Sequence, residues 1–145
     1  MTDIAGLLKE AAASMKSDVK GATAKLETAY GLAQASGHAD DTAVVAEELA
    51  RVWGRRRSNA KSLYYATKAT ELVPTHKSTW TTLAKTCELV ATRTQAPSKQ
   101  RRARALYKAS AAAFKKAAGL TKDPEDKRWL LELAGDASKQ ARPPA

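Results

Sequence analysis

The chain holds one cysteine, seven glycines, five prolines and a single phenylalanine among 145 residues. The lone Cys87 cannot close an internal disulfide, and with only His38 and His76 to join it, it cannot complete a cysteine-type zinc site. No glycine-rich phosphate loop, nucleophile elbow or His-Glu metal spacing occurs, so nothing in the motifs points to catalysis, a metal or a cofactor. No run approaches the roughly 20 apolar residues of a membrane span. The first twenty residues contain Asp3, Glu10 and Asp18 and lack the apolar core of a secretory signal; the same acids argue against a mitochondrial presequence. These absences leave a soluble, cytoplasmic protein without enzymatic activity as the expectation.

Acid is scarce too, but only locally. Residues 1–54 carry 5 Lys/Arg and 8 Asp/Glu, net −3; residues 55–116 carry 15 Lys/Arg and 2 Asp/Glu, net +13; residues 117–145 carry 5 of each. The whole excess of +10 therefore sits in one zone. Such a field draws acidic partners: an acidic protein segment, nucleic-acid phosphates or an anionic lipid surface.

The remainder is rich in alanine, leucine, lysine and arginine, with no lasting strand-like alternation. About 145 residues suit a single domain that buries about 70% of its unfolded surface, here expected over residues 1–141 with a disordered tail at 142–145. Seven helices follow from the spacing of apolar residues. The first spans 3–16, with Ile4, Leu7, Leu8, Ala11, Ala12 and Met15 on one face. The second spans 18–35 and ends at Gly37, placed for a left-handed C′ residue. Residues 38–41 read as a loop. The third covers 42–53, where Val45, Leu49, Val52 and Trp53 form a stripe and Gly54 reads as the break. The fourth covers 58–73 and stops at Pro74. The fifth covers 76–93, with Thr75 as its cap; the sixth covers 98–120. Asp123-Pro124-Glu125-Asp126 supplies cap, first-turn proline and acids for a seventh at 124–140.

Proline, large residue, leucine and alanine recur. Pro74 precedes Trp80, Leu83 and Ala84; Pro124 precedes Leu130, Leu133 and Ala134 at the same spacing; Ala46, Leu49 and Ala50 stand earlier. From Ala43 to His76 is 34 residues. This pattern resembles the tetratricopeptide repeat. In the 43–76 unit the family's first-helix set falls on Ala46, Leu49, Ala50 and Trp53, its second-helix alanine on Ala69 and its terminal proline on Pro74. The next unit, 77–126, begins with Trp80, Leu83, Ala84 and Cys87. The resemblance implies a right-handed α-solenoid that binds peptides or partner proteins on its concave face. Ser62 and Ala66 depart from the pattern, and the 77–126 unit is overlong. An irregular helical bundle, or a three-helix domain of the microtubule-interacting-and-transport type, fits the same elements. The family's carboxylate clamp would fall on Glu47, Arg51, Thr81 and Lys85; it lacks its asparagine, so capture of a C-terminal acid is not implied.

Two clusters carry the chemistry of the basic zone. Arg55, Arg56 and Arg57, flanked by Arg51 and Lys61, occupy the turn between the third and fourth helices, where guanidinium forks match phosphate or carboxylate. Lys99, Arg101, Arg102, Arg104, Lys108 and Lys115 lie on the sixth helix, with Lys116 beside them, and no acid stands between Glu88 and Asp123. Residues 101, 104, 108 and 115 share a face that could follow phosphates. Tyr64, Tyr65, Tyr107, Phe114 and the three tryptophans read as packing residues, with Trp129 partly outward. Glu47 and Glu48 read as exposed. His38 and His76 fall at helix boundaries and read as structural. The expected function is a protein-interaction or scaffold module for an acidic or amphipathic partner, the alternative a nucleic-acid-associated protein; oligomeric state is not encoded in any of these patterns.

Overall fold

The computed structural model describes residues 3–94 and 96–143. These residues form seven α-helices and a short 3-10 turn, and no strand occurs among them. The chain divides into two compact units, the first ending at Pro74 and the second beginning at Thr75. The first holds α1 (Ile4–Ser14), α2 (Val19–Ser36), α3 (Ala39–Arg55) and α4 (Asn59–Leu72). The second holds α5 (Lys77–Arg93), the 3-10 turn Pro97–Lys99, α6 (Gln100–Gly119) and α7 (Pro124–Ala141). Within each unit successive helices pack on one another, and their short connections make each double back along the last. Of the residues assigned to a disordered tail, 144 and 145 lie outside the described residues.

Local chemistry explains several boundaries. The Asp3 and Asp18 carboxylates accept from the backbone N–H of Gly6 and Gly21 and so cap α1 and α2. Gly37 ends α2 at φ 74°. Asp123 accepts from Glu125 N at 3.0 Å, and Pro124 opens α7. Three expected boundaries move. Residues 39–41 are helical rather than loop, with His38 at the N-cap and Asp40 and Asp41 in the first turn, where the positive end of the helix favours acids. Gly54 does not break α3: it is buried within the helix, which runs on to Arg55. His76, not Thr75, is the N-cap of α5.

Small residues build both cores. Leu7, Leu26, Val45, Leu49 and Val52 supply the volume of the first, between Ala11, Ala22, Ala29, Ala43, Ala46 and Ala69. Phe114 and Leu130 supply that of the second, among Ala84, Ala113, Ala117, Ala118 and Ala134. Alanine lets helix axes approach closely because only a methyl group intervenes. A fully buried serine stands at one crossing in each unit. Ser62 of α4 donates to the Ala50 carbonyl of α3 at 2.7 Å, and Ser110 of α6 donates to the Ala84 carbonyl of α5 at 2.8 Å. A hydroxyl there must find an acceptor, and the facing backbone carbonyl is within reach. The Cys87 thiol lies in the same helix as Ala84; burial pushes its pKa up to about 11.

Two side chains sit otherwise than expected. Glu47 is buried, because α3 is covered around much of its circumference. Tyr64 is about half exposed rather than packed inside, and Trp129, expected partly outward, is about half exposed.

Replacing Ser62 or Ser110 by Ala should each lower stability by about 1 kcal/mol, the net value of one buried hydrogen bond. Ala84→Leu should cost about 1–3 kcal/mol by overpacking the same crossing. Urea unfolding followed by circular dichroism measures both; an Ala84→Leu variant as stable as the parent would contradict the close crossing.

Candidate anion-binding surfaces

The first basic cluster is organised by the way α3 ends. Arg56 is the C-cap, and Arg57 follows in the left-handed region at φ 60°, the only non-glycine residue with positive φ among those described. Ser58 N donates to Trp53 O at 2.9 Å and Arg57 N to Gly54 O at 3.2 Å, the two bonds of a Schellman motif. Glycine ordinarily fills that left-handed position; here it bears an arginine. The turn therefore splays three consecutive guanidinium groups from one helix end.

Their environments differ. The Arg56 guanidinium lies 4.5 Å and the Lys61 ammonium 4.0 Å from the Trp53 ring centroid. Trp53 Nε1 donates to Glu27 Oε1 at 3.3 Å, and the Tyr65 hydroxyl donates to Glu27 Oε2 at 3.0 Å. Burial, then the Glu27 charge, raise the Tyr65 pKa above the usual phenol value. Tyr30 packs edge-on to Tyr65, centroids 5.4 Å apart. Arg56 and Lys61 thus form the outer layer over aromatic side chains tied to Glu27 of α2. The other cations face a different way. Arg51 pairs with Glu48, and Arg51, Glu48 and Arg55 line a cleft of about 380 Å³ between α3 and the end of α1. Ala12, Ala13 and Met15 give that cleft an apolar lining, and Lys16 adds a third cation. Sequence patterns alone do not single out Lys16 or the exposed Ala12 as site residues. Their one signal is a charge directly after an apolar helix end.

The second cluster belongs to the other unit and stands on its own. Lys99, Arg101, Arg102, Lys108 and Lys115 are exposed, and Arg104 is half-buried. None of these six forms an ion pair among the described residues. Ala105, Ala109 and Ala112 are exposed between them, so this helix face is cationic and carries no acid of its own. Lys116 is set apart, 5.8 Å from the Trp80 ring. Aromatic stacking is not offered here: Phe114 is in the core, and Tyr107 is half-buried with its hydroxyl 3.4 Å from that of Thr92.

No protein-family model matches the chain, and no curated protein matches it in sequence. No helix among the described residues is long and apolar enough to cross a membrane.

A left-handed L-residue costs about 1–2 kcal/mol, part of which glycine gives back through its freer unfolded state. Arg57→Gly should therefore raise stability by about 0.5–1 kcal/mol while removing one cation. Thermal unfolding decides it: a lower melting temperature would mean that Arg57 makes contacts that outweigh its backbone strain.

Proposed function

We propose that this chain is a non-enzymatic, tetratricopeptide-like interaction module that holds an acidic, partly apolar segment of a partner protein in the cleft between α1 and α3. The carrying observation is the composition of that cleft: Ala12, Ala13 and Met15 against Lys16, Arg51 and Arg55, with Glu48 as the single acid. An apolar lining rewards burial of a leucine or phenylalanine, and the cations select neighbouring carboxylates. Solenoid packing draws support from the recurrence of one device, a buried serine on the second helix bonded to the alanine carbonyl of the first, in α3–α4 and again in α5–α6. A cytoplasmic setting fits the single buried thiol.

The test is fluorescence anisotropy with a labelled peptide alternating glutamate and leucine. Arg51→Glu combined with Arg55→Glu should weaken binding at least about tenfold, since a hydrogen bond to a charged group is worth about 1.5–3 kcal/mol. Unchanged affinity, or equal binding of the lysine-for-glutamate peptide, would reject the cleft.

The face of α6 favours a second reading, association with a nucleic-acid backbone. A cationic helix face without acids of its own contacts phosphates without reading bases. Titrating single-stranded RNA at several salt concentrations tests it: Arg101→Glu with Lys108→Glu should reduce the slope of log K against log salt by about 1–2. Absence of binding at low salt would reject this reading and leave the peptide cleft untouched.

A further inference from the structure

Helix α7 is covered on one side only. Leu130, Ala134 and Ala137 are buried on its inner face. On its outer side Leu131 is 46% exposed. It lies on an open strip of the helix with Pro124, Lys127, Arg128 and Glu132. Gly135, one turn further along, has no neighbouring atom within 4 Å of the place a Cβ would take. Pro124, Arg128, Leu131, Gly135 and Ser138 follow the i, i+4, i+7, i+11, i+14 spacing of a seam between two helices. A protruding leucine and, four residues on, an open glycine form a knob and a hole on the same strip.

Charge indicates what covers the strip. Helix α6 bears Arg101, Arg102, Arg104, Lys108, Lys115 and Lys116 with no acid. Helix α5 also has more bases than acids. Helix α7 alone in its unit has no cationic excess: Glu125, Asp126, Glu132 and Asp136 stand against Lys127, Arg128 and Lys139. Two copies of a chain of net charge +10 repel one another through α5 and α6 and can approach through α7. Glu125 and Lys139 lie along one edge of the strip, at opposite ends of the helix, and neither forms an ion pair among the described residues.

We propose that two copies of this chain associate through α7, antiparallel about a two-fold axis close to residue 133. Leu131 of each copy then seats over Gly135 of the other, twice by symmetry. In that register Glu125 of each copy comes opposite Lys139 of the other. The two Glu132 side chains approach near the axis, a like-charge pair that limits the affinity. One helix pair falls short of the roughly 1,200–2,000 Å² buried in stable complexes, so the association is weak and depends on concentration.

Analytical ultracentrifugation of the full chain, from about 10 µM to about 1 mM, tests this against the affinity range of small interfaces. The expected result is a monomer–dimer equilibrium within that range. Leu131→Asp and Gly135→Leu should each weaken it at least tenfold. Gly135→Leu should leave the melting temperature equal or higher, because leucine is the better helix former and meets open space in the monomer. Glu132→Gln should tighten it. On oxidation Glu132→Cys should form a cross-linked dimer, whereas Lys139→Cys should not, its two copies lying about 18 Å apart along the axis. A single monomeric species at every concentration would overturn the proposal. So would a dimer indifferent to Leu131→Asp and Gly135→Leu, or one cross-linked equally by both cysteines, the result of parallel pairing.

Discussion

Two helices come as close as the side chains between them permit, and in this chain those side chains are alanine and serine. At the crossings of α3 with α4 and of α5 with α6, a serine hydroxyl reaches the carbonyl of the facing alanine, at 2.7 and 2.8 Å. Larger residues there would push the axes apart and strand the hydroxyls. The rest of each core answers to that spacing: Leu49 and Val52 in one unit, Phe114 and Leu130 in the other, fill the wedges on either side. Cations placed on the second helix of each pair are held outward as a result, because the inner face has no room for them.

The basic surfaces divide by what lies beneath them. Over Trp53, Arg56 and Lys61 sit on a ring already tied to Glu27 and Tyr65, and such cations contribute to local order. Along α6, Arg101, Arg102, Lys108 and Lys115 are exposed among exposed alanines. Arg51 and Arg55 stand between these cases, one paired with Glu48 and both bordering apolar surface. Net charge alone therefore does not rank these residues as binding groups. Part of the positive charge is used internally, on the chain's own aromatics.

Much of this is legible in the sequence. Prolines, caps and apolar spacing locate all seven helices, and the all-α class follows directly; Asp123-Pro124 and Gly37 act as their chemistry demands. Charge counts alone find both clusters. What stays illegible is set by neighbours distant in sequence. Gly54 reads as a break, but its helix is carried on to Arg55 and closed by a Schellman motif over the next residues. Residues 39–41 read as a loop because acids carry no helical periodicity, although the helix dipole welcomes them. Glu47 reads as exposed from its spacing, yet α3 is surrounded on more than one side. Lys16 joins a cleft with Arg51 and Arg55 only once α1 and α3 both pack on α2. Ser62, a departure from the tetratricopeptide pattern, fills its place by hydrogen bonding to Ala50, as Ser110 does to Ala84.

Alanine has no side-chain torsion that changes its shape. A core built of leucine and methionine can respond to a bound molecule by changing rotamers one at a time. Where Ala46, Ala50, Ala66 and Ala69, or Ala84, Ala113, Ala117 and Ala118, make the contact, that freedom does not exist. Mechanical adjustment within either unit must then take the form of whole helices tilting or sliding, with the serine–carbonyl bonds as the points that stretch first. A module of this kind transmits a local push over the length of a helix, or does not yield to it at all.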